Sequence, residues 1–139
     1  MTPVYIKPLP VPSNESAPFW EGCRRHELLI QRCDECGQFA FPPAAHCSEC
    51  FHSPMKWSKV SGQGKVYSFV VYRRSYHPGF EADLPYVVAL VQLEEGPRLI
   101  GNIVGCDPQS VRCEMPVEVV FDDIEEKNFT LYRFRGVQS

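Results

Sequence analysis

Four cysteines, Cys33, Cys36, Cys47 and Cys50, stand in a C-x2-C-x10-C-x2-C array, which constrains the fold more than any other feature of the chain. Each C-x-x-C turn presents two sulfurs from one tight knuckle, and two knuckles brought together make the tetrahedral four-thiolate cage that zinc prefers. The expected cofactor is therefore one zinc ion per chain. An iron site of the rubredoxin type, or disulfides, are the alternatives the same spacing allows. A four-thiolate cage is closed, with no position left for substrate or activated water, so the metal should hold the fold and leave function to another surface. His46 and His52 flank the second knuckle, but the sulfurs already complete the cage, and both read as neighbours of the metal site or surface groups.

The remaining cysteines, Cys23, Cys106 and Cys113, have no ligand spacing and read as buried or half-buried. Seven cysteines, with no apolar signal segment at the start and no long apolar run, favour a reducing cytoplasmic location and argue against a membrane span. At 139 residues with 13 prolines, the chain can hold one modest core plus a metal-stapled appendage. Net charge is -3, and it is uneven: residues 1–65 carry seven Lys or Arg against six Asp or Glu, whereas residues 66–139 carry seven against eleven. An acidic second half argues against a surface that tracks a polyanion.

Three stretches follow one another: a proline-rich arm over 1–15, a short helix and metal ribbon over 16–60, and a barrel over 61–139. The segment SAPFWEGCRRHELL predicts the helix, with Ser16 as cap, Pro18 in the permissive first turn, and Phe19 and Cys23 on one face. Gly22 weakens it. Phe19, Trp20 and Leu28 either pack the helix on the ribbon or offer an apolar face to a partner. LLIQRC and QFAFPP read as a ribbon hairpin, Gly37 suiting the tight turn after Cys36 and Pro42 and Pro43 stiffening the return toward Cys47. Five strands come next: KVYSFVVYR, PYVVALVQL, PRLIGNIV, MPVEVVFDDI and NFTLYRF. Gly62 and Gly64 allow a bend into the first, and Glu95 with Gly96 turns the second into the third. Five short strands with little helix are the content of a mainly β chain closing into a five-stranded OB-type barrel, although an incomplete sandwich or another small barrel gives similar periodicity.

The longest connection in the barrel, residues 75–85, is the candidate functional loop. Tyr76, His77 and Phe80 in it cap the barrel, contact a partner or ligand, or act directly in catalysis. No G-x-S-x-G elbow, H-E-x-x-H helix or phosphate loop is present, and GQGK at 62–65 reads as a turn followed by an exposed lysine, so no catalytic residue is assigned. His77 with Glu81 or Asp83 imitates an acid–base pair only by proximity in sequence. A zinc ribbon with a barrel also raises a nucleic-acid reading, carried by Tyr67, Phe69, Tyr72, Arg73 and Arg74. Because Tyr67, Phe69 and Val71 alternate toward one face, some of these aromatics belong to the core. The same arginines with Lys65 and Arg98 suit instead the phosphates of one acyl-CoA, which needs fewer cations than a nucleic-acid backbone.

Together, FWEGCRRHELLIQRCDECGQFAFPP, the second knuckle CSEC, SGQGKVYSFVVYRRSYHPGF, LPYVVALVQLEEGPRLIGNIVGCDP and MPVEVVFDD resemble the acyl-CoA-associated family with a rubredoxin-like zinc ribbon and OB fold, long catalogued as a domain of unknown function. The resemblance covers nearly all of the chain after the proline arm. It implies a non-catalytic partner of a thiolase-fold enzyme that makes or cleaves carbon–carbon bonds on CoA thioesters, the small chain stabilising the large one and helping shape its acyl-CoA passage. The expected assembly is a hetero-oligomer around a dimeric thiolase-like core. Cys33, Cys36, Cys47 and Cys50 match the family's metal ligands, and the FW segment, VVYRRSYHPGF and LIGNIVG match its recurrent surface and barrel elements. Gly22 and Cys23 depart from positions that often read as alanine in the family.

Overall fold

Along the chain, one helix leads into a three-stranded ribbon and then into a five-stranded barrel. The computed structural model describes residues 7–51, 55–75 and 77–137; His52 and Tyr76, named above, lie outside the described residues, as does the start of the arm. The elements are α1 (Ala17–Arg24), β1 (Leu29–Arg32), β2 (Phe39–Ala40), β3 (Lys56–Lys59), β4 (Gln63–Tyr72), β5 (Tyr86–Leu93), β6 (Arg98–Val104), β7 (Pro116–Ile124) and β8 (Phe129–Gly136).

Helix α1 begins with Pro18 in its first turn, as expected. Ser16 does not cap it. Its hydroxyl instead accepts from the Ser13 amide at 2.8 Å, and the Ser13 hydroxyl accepts from the Ser16 amide at 3.1 Å. The helix stops early because the Arg25 and Glu27 amides both turn back onto the Gly22 carbonyl, at 3.0 and 2.8 Å, and His26 takes the left-handed conformation at φ 60°. Gly22 itself is required by close packing, since a Cβ there would stand 2.8 Å from Leu29 Cγ and 2.9 Å from the Glu27 carbonyl oxygen.

In the ribbon, β1 lies between β2 and β3, both antiparallel to it. The side chain of buried Gln31 accepts from the Ala44 amide at 2.8 Å, tying the Pro42–Pro43 return to the central strand. All five expected barrel strands form, and they close in the order β4-β5-β6-β8-β7 and back to β4. Every neighbouring pair is antiparallel except β6 with β8. Strict alternation in β5 sends Val87, Ala89, Val91 and Leu93 inward, against Val66, Leu99, Val117 and Phe134. Gly64 makes the close approach of β4 to β5 possible, because a Cβ would stand only 2.4 Å from the Gln92 carbonyl oxygen.

Two further expectations change. The β4–β5 register shifts between Val66 and Ser68, and this bulge leaves Tyr67 45% exposed while Phe69 and Val71 pack on the core, so the three do not share one face. Phe19 is not a partner contact: it is 2% exposed and joins Cys23, Leu28 and Ile30 to the barrel residues in one hydrophobic cluster. Helix, ribbon base and barrel thus share a core. The knuckles form a second, small cluster of Cys33, Cys47 and Met55.

Candidate metal centre and barrel-face cavity

The two knuckles repeat one local design. Gly37 and Phe51, each following a second cysteine, donate their amides to the Cys33 and Cys47 carbonyls at 2.9 Å, and each takes a left-handed conformation, at φ 75° and 63°. Glycine adopts it without strain, whereas a phenylalanine does so only where its surroundings impose it. Inside the knuckles the Cys36 amide points at Cys33 Sγ, 3.5 Å away, and the Glu49 amide at Cys47 Sγ, 3.4 Å away. The Cys36 amide foremost, with that of Glu35, draws the Cys33 thiol down to about 6, and the amides of Cys50 and Glu49 lower Cys47. Both shifts favour the thiolate, the form that ligates metal.

All four Sγ atoms lie within 4.8 Å of one another, with Cys33 to Cys50 at 3.4 Å and Cys36 to Cys47 at 3.6 Å. An S4 tetrahedron with zinc–sulfur bonds of about 2.3 Å has edges of about 3.8 Å, so the cage is close to the size the ion needs. The nearest sulfurs stand 3.4 Å apart, well beyond a disulfide bond of about 2.05 Å, so the spacing favours the metal cage over disulfides. His46 is exposed and lines a shallow groove beside Pro42 and Pro43. Cys23 is buried, and desolvation pushes its thiol up to about 12. Cys106 and Cys113 are exposed, contrary to the expectation from sequence.

A second feature lies on the outer face of β5, β6 and β8: a cavity of about 770 Å³. Val88, Ile100 and Leu131 make its floor, while Trp20 of α1, Pro10 of the arm and Phe80 of the long loop make walls. Tyr72 and Tyr86 stack at one side with centroids 5.1 Å apart. Its polar end is Asn102 and Arg133. A second cavity of about 430 Å³ shares Phe80, Tyr86, Asn102 and Arg133 with the first and continues toward Lys7, Asp83 and Cys106. The Arg133 side chain is 18% exposed; Nε donates to Asp122 Oδ2 at 3.0 Å, Nη2 lies in ion-pair contact with the same oxygen at 3.0 Å, and Nη1 donates to Asn102 Oδ1 at 3.1 Å. Asn102 is fixed in turn by donating from Nδ2 to the Val87 carbonyl at 3.1 Å.

The long loop contains a 3-10 turn, Pro78–Asp83, whose first amide, that of Gly79, donates to His77 Nδ1 at 3.0 Å. Asp83 pairs with Lys7, which also sits 5.5 Å over the Phe80 ring. The imitation acid–base pair is thereby undone: His77 caps a turn, and Asp83 serves the arm. The four cations expected to meet one acyl-CoA are not brought together. Seven residues of largely extended chain lie between Lys65 and Arg73, setting them about 25 Å apart at the usual rise. Lys65 pairs with Glu114 at 2.9 Å, and Arg98 lies 3.8 Å over the ring of Tyr67, occupying an aromatic face that a stacking base would need. Arg73 and Arg74 are exposed just past β4. Asn102 and Arg133 escaped the sequence reading, because an outward arginine on a strand is unremarkable until the parallel β6–β8 pairing sets it beside β6.

The family model of the ChsH2 rubredoxin-like zinc ribbon domain matches residues 20–55, and that of the ChsH2 C-terminal OB-fold domain matches residues 57–122. A DUF35 domain-containing scaffold protein of Methanocaldococcus jannaschii is 41% identical over 73% of this chain and 72% of its own length. The chain belongs to the DUF35, ChsH2-type zinc ribbon and OB-fold family. Among solved structures, the Ltp2-ChsH2(DUF35) aldolase holds a chain that superposes with a TM-score of 0.83 at 36% identity, covering 92% of this chain and 98% of that one. A probable enoyl-CoA hydratase alpha subunit of Thermomonospora curvata is 38% identical over 96% of this chain, which spans only 41% of that protein's length. The benzoylsuccinyl-CoA thiolase subunit BbsA of Thauera aromatica is 26% identical over 93% of this chain and 84% of its own. Among the described residues no helix is long and apolar enough to cross a membrane.

Proposed function

We propose that the chain is a non-catalytic accessory subunit of a thiolase-fold enzyme acting on acyl-CoA thioesters, stabilising that partner and helping shape its acyl-CoA site. The observation that carries this reading is the near end-to-end likeness to a chain of the Ltp2-ChsH2(DUF35) aldolase, joined by the BbsA resemblance to a thiolase subunit. The chain's own chemistry agrees. Buried Cys23 carries a thiol raised to about 12, the four close cysteines suit a metal, and His77 caps a turn. Hydratase chemistry does not transfer, because the matched hydratase subunit is mostly composed of sequence outside the match.

Cys33, Cys36, Cys47 and Cys50 would hold one zinc ion, and its binding energy would serve as folding energy for the ribbon. The deciding experiment is mild co-purification from the native cell, identification of the bound chain, and assay of CoA thioester turnover with and without this subunit. A thiolase-fold partner whose turnover rises when the subunit is added is the expected result. Turnover by the purified chain alone, or tight nucleic-acid binding at physiological salt with no such partner, would overturn the proposal.

A further inference from the structure

Among the described residues, strand β4 is flanked on both sides only at its start. Its barrel-closing contact with β7 covers Gln63, Gly64 and Lys65. Val66 makes the last exchange on that side, its amide donating to the Met115 carbonyl at 3.0 Å and its carbonyl accepting from the Glu114 amide at 2.7 Å. The turn that precedes β7, with Glu114 left-handed at φ 71°, carries the chain off the edge at that point. Strand β4 nevertheless runs on beside β5 as far as Tyr72. From Tyr67 to Val71, therefore, its other edge has no backbone partner among the described residues. Antiparallel pairing uses the N–H and C=O of every second residue, so alternate residues of this stretch turn both groups away from β5.

Sheet edges are normally blunted by charge, proline, a bulge or a covering element. The segment YSFVV has neither charge nor proline, and its bulge sits at Tyr67, where the open edge begins. Phe69 and Val71 pack on the core, whereas Val70 is 54% exposed. The flanking charge says what fits. KVYSFVVYRR, residues 65–74, holds three cations and no acid, and Arg98 adds a fourth above the ring of Tyr67. Lys65 is paired with Glu114; Arg73 is exposed. A second copy laid antiparallel about Phe69 would set Lys65 opposite Arg73, and like charges facing each other across a pair are destabilising. An acidic strand has no such conflict.

We infer that the β4 edge from Tyr67 to Val71 receives an extended segment of a protein partner as an added strand, apolar beside Val70 and acidic where it reaches Arg73. Main-chain hydrogen bonds supply the affinity, and the side chains beside Val70 and Arg73 supply the choice of segment. This docking edge stands apart from the accessory reading, since its test uses neither thioester nor enzyme.

The test is amide hydrogen exchange and chemical-shift titration of the zinc-loaded, isotope-labelled full chain with three acetylated and amidated heptapeptides, EVTVTVE, KVTVTVK and EVTPTVE. In the free chain, alternate amides between Tyr67 and Val71 should exchange quickly. EVTVTVE should bind saturably at one per chain and slow those same amides about tenfold or more. KVTVTVK should bind at least about threefold more weakly, and the central proline of EVTPTVE, which removes a ladder donor, should cost about tenfold. Arg73→Glu should reverse the preference between the first two peptides. Val70→Glu changes a side chain already 54% exposed, so thermal unfolding should show an intact barrel while EVTVTVE binding falls about tenfold. Protection of every amide from Tyr67 to Val71 in the free chain, no saturable binding of EVTVTVE, equal binding of the acidic and basic peptides, or protection confined to another strand would overturn the inference. So would concentration-dependent dimerisation that protects these amides without peptide, which would give the edge to a second copy.

Discussion

His26 Nε2 lies 3.0 and 2.9 Å from the two carboxylate oxygens of Asp123, and its ring stacks on Phe121 with centroids 5.2 Å apart. This contact fastens the end of α1 to β7 at the point where the chain turns into the ribbon. The Thr130 hydroxyl donates to the same carboxylate at 2.6 Å. Thr130 first and His26 second hold the Asp123 carboxyl below its ordinary 3.8. A carboxyl lowered in the folded state contributes stability above its ordinary value and gives it up as pH falls through the lowered one. Thermal melts should therefore show the wild type losing stability more steeply than Asp123→Asn below about pH 4, with parallel slopes above it. Both partners are about half exposed, so the difference should be small. Identical slopes throughout would remove the clamp from the stability of the fold.

Metal removal should separate the ribbon from the barrel. The knuckles pack in their own small cluster, whereas the barrel and α1 share the main core. Cys36→Ser should lose near-stoichiometric zinc and the order of the ribbon, while the barrel keeps its strand signal and a cooperative melt. Metal analysis and circular dichroism of the untagged protein check both halves. A fully folded wild type without metal would contradict the cage, and iron with rubredoxin-like absorption would change the ion.

Phe19 and Trp20 are adjacent in sequence, with rings 4.9 Å apart, yet they face different tasks. Phe19 meets Phe41 and Tyr132 inside the core, at 5.4 and 5.5 Å, whereas Trp20 leans on Phe129 and walls the cavity. Phe19→Ala should cost about 3–5 kcal/mol in denaturant unfolding, the usual range for a buried aromatic. Trp20→Ala should cost clearly less and alter acyl binding or complex formation instead. Equal losses of stability would make Trp20 a core residue like its neighbour.

What could be read from the sequence was what local chemistry decides. Four sulfurs at knuckle spacing need only their own turns to converge, and alternating valines need only a pleat to sort them, so the cage and all five barrel strands were legible. Gly64 was legible as a bend but not as the residue whose lack of a Cβ, which would stand 2.4 Å from the Gln92 carbonyl oxygen, lets β4 close on β5. Tyr67 was misplaced because a single-residue bulge reverses the facing that period-two alternation assigns. The junction at Asn102 and Arg133 was hidden for a different reason. It depends on β6 and β8 lying side by side in parallel, and nothing in either strand's own pattern encodes that pairing.

Past the end of β4, Arg73 and Arg74 stand exposed beside a loop whose Phe80 lies 5.5 Å from Tyr86, and an adjacent cation pair and aromatic suit a mixed docking surface. The competing role is a solvated strand end with a capping loop. Arg73→Ala with Arg74→Ala should keep zinc and the barrel melt but weaken the proposed complex with a thiolase-fold partner, or raise the acyl-CoA concentration it needs, by about tenfold if the pair is central to the interface. Phe80→Ala is the sharper probe of the loop, because it removes a wall common to both cavities. His77→Ala is weaker, since His77 is exposed and engaged in capping the turn, so its loss should loosen the loop more than it removes contact. Complex affinity by size and titration, and turnover against thioester concentration, together read the result. If the arginine pair and Phe80 are all replaced with neither quantity moving, this face is only a capped barrel end, and the partner must be sought along the ribbon, where Phe51 stands 77% exposed.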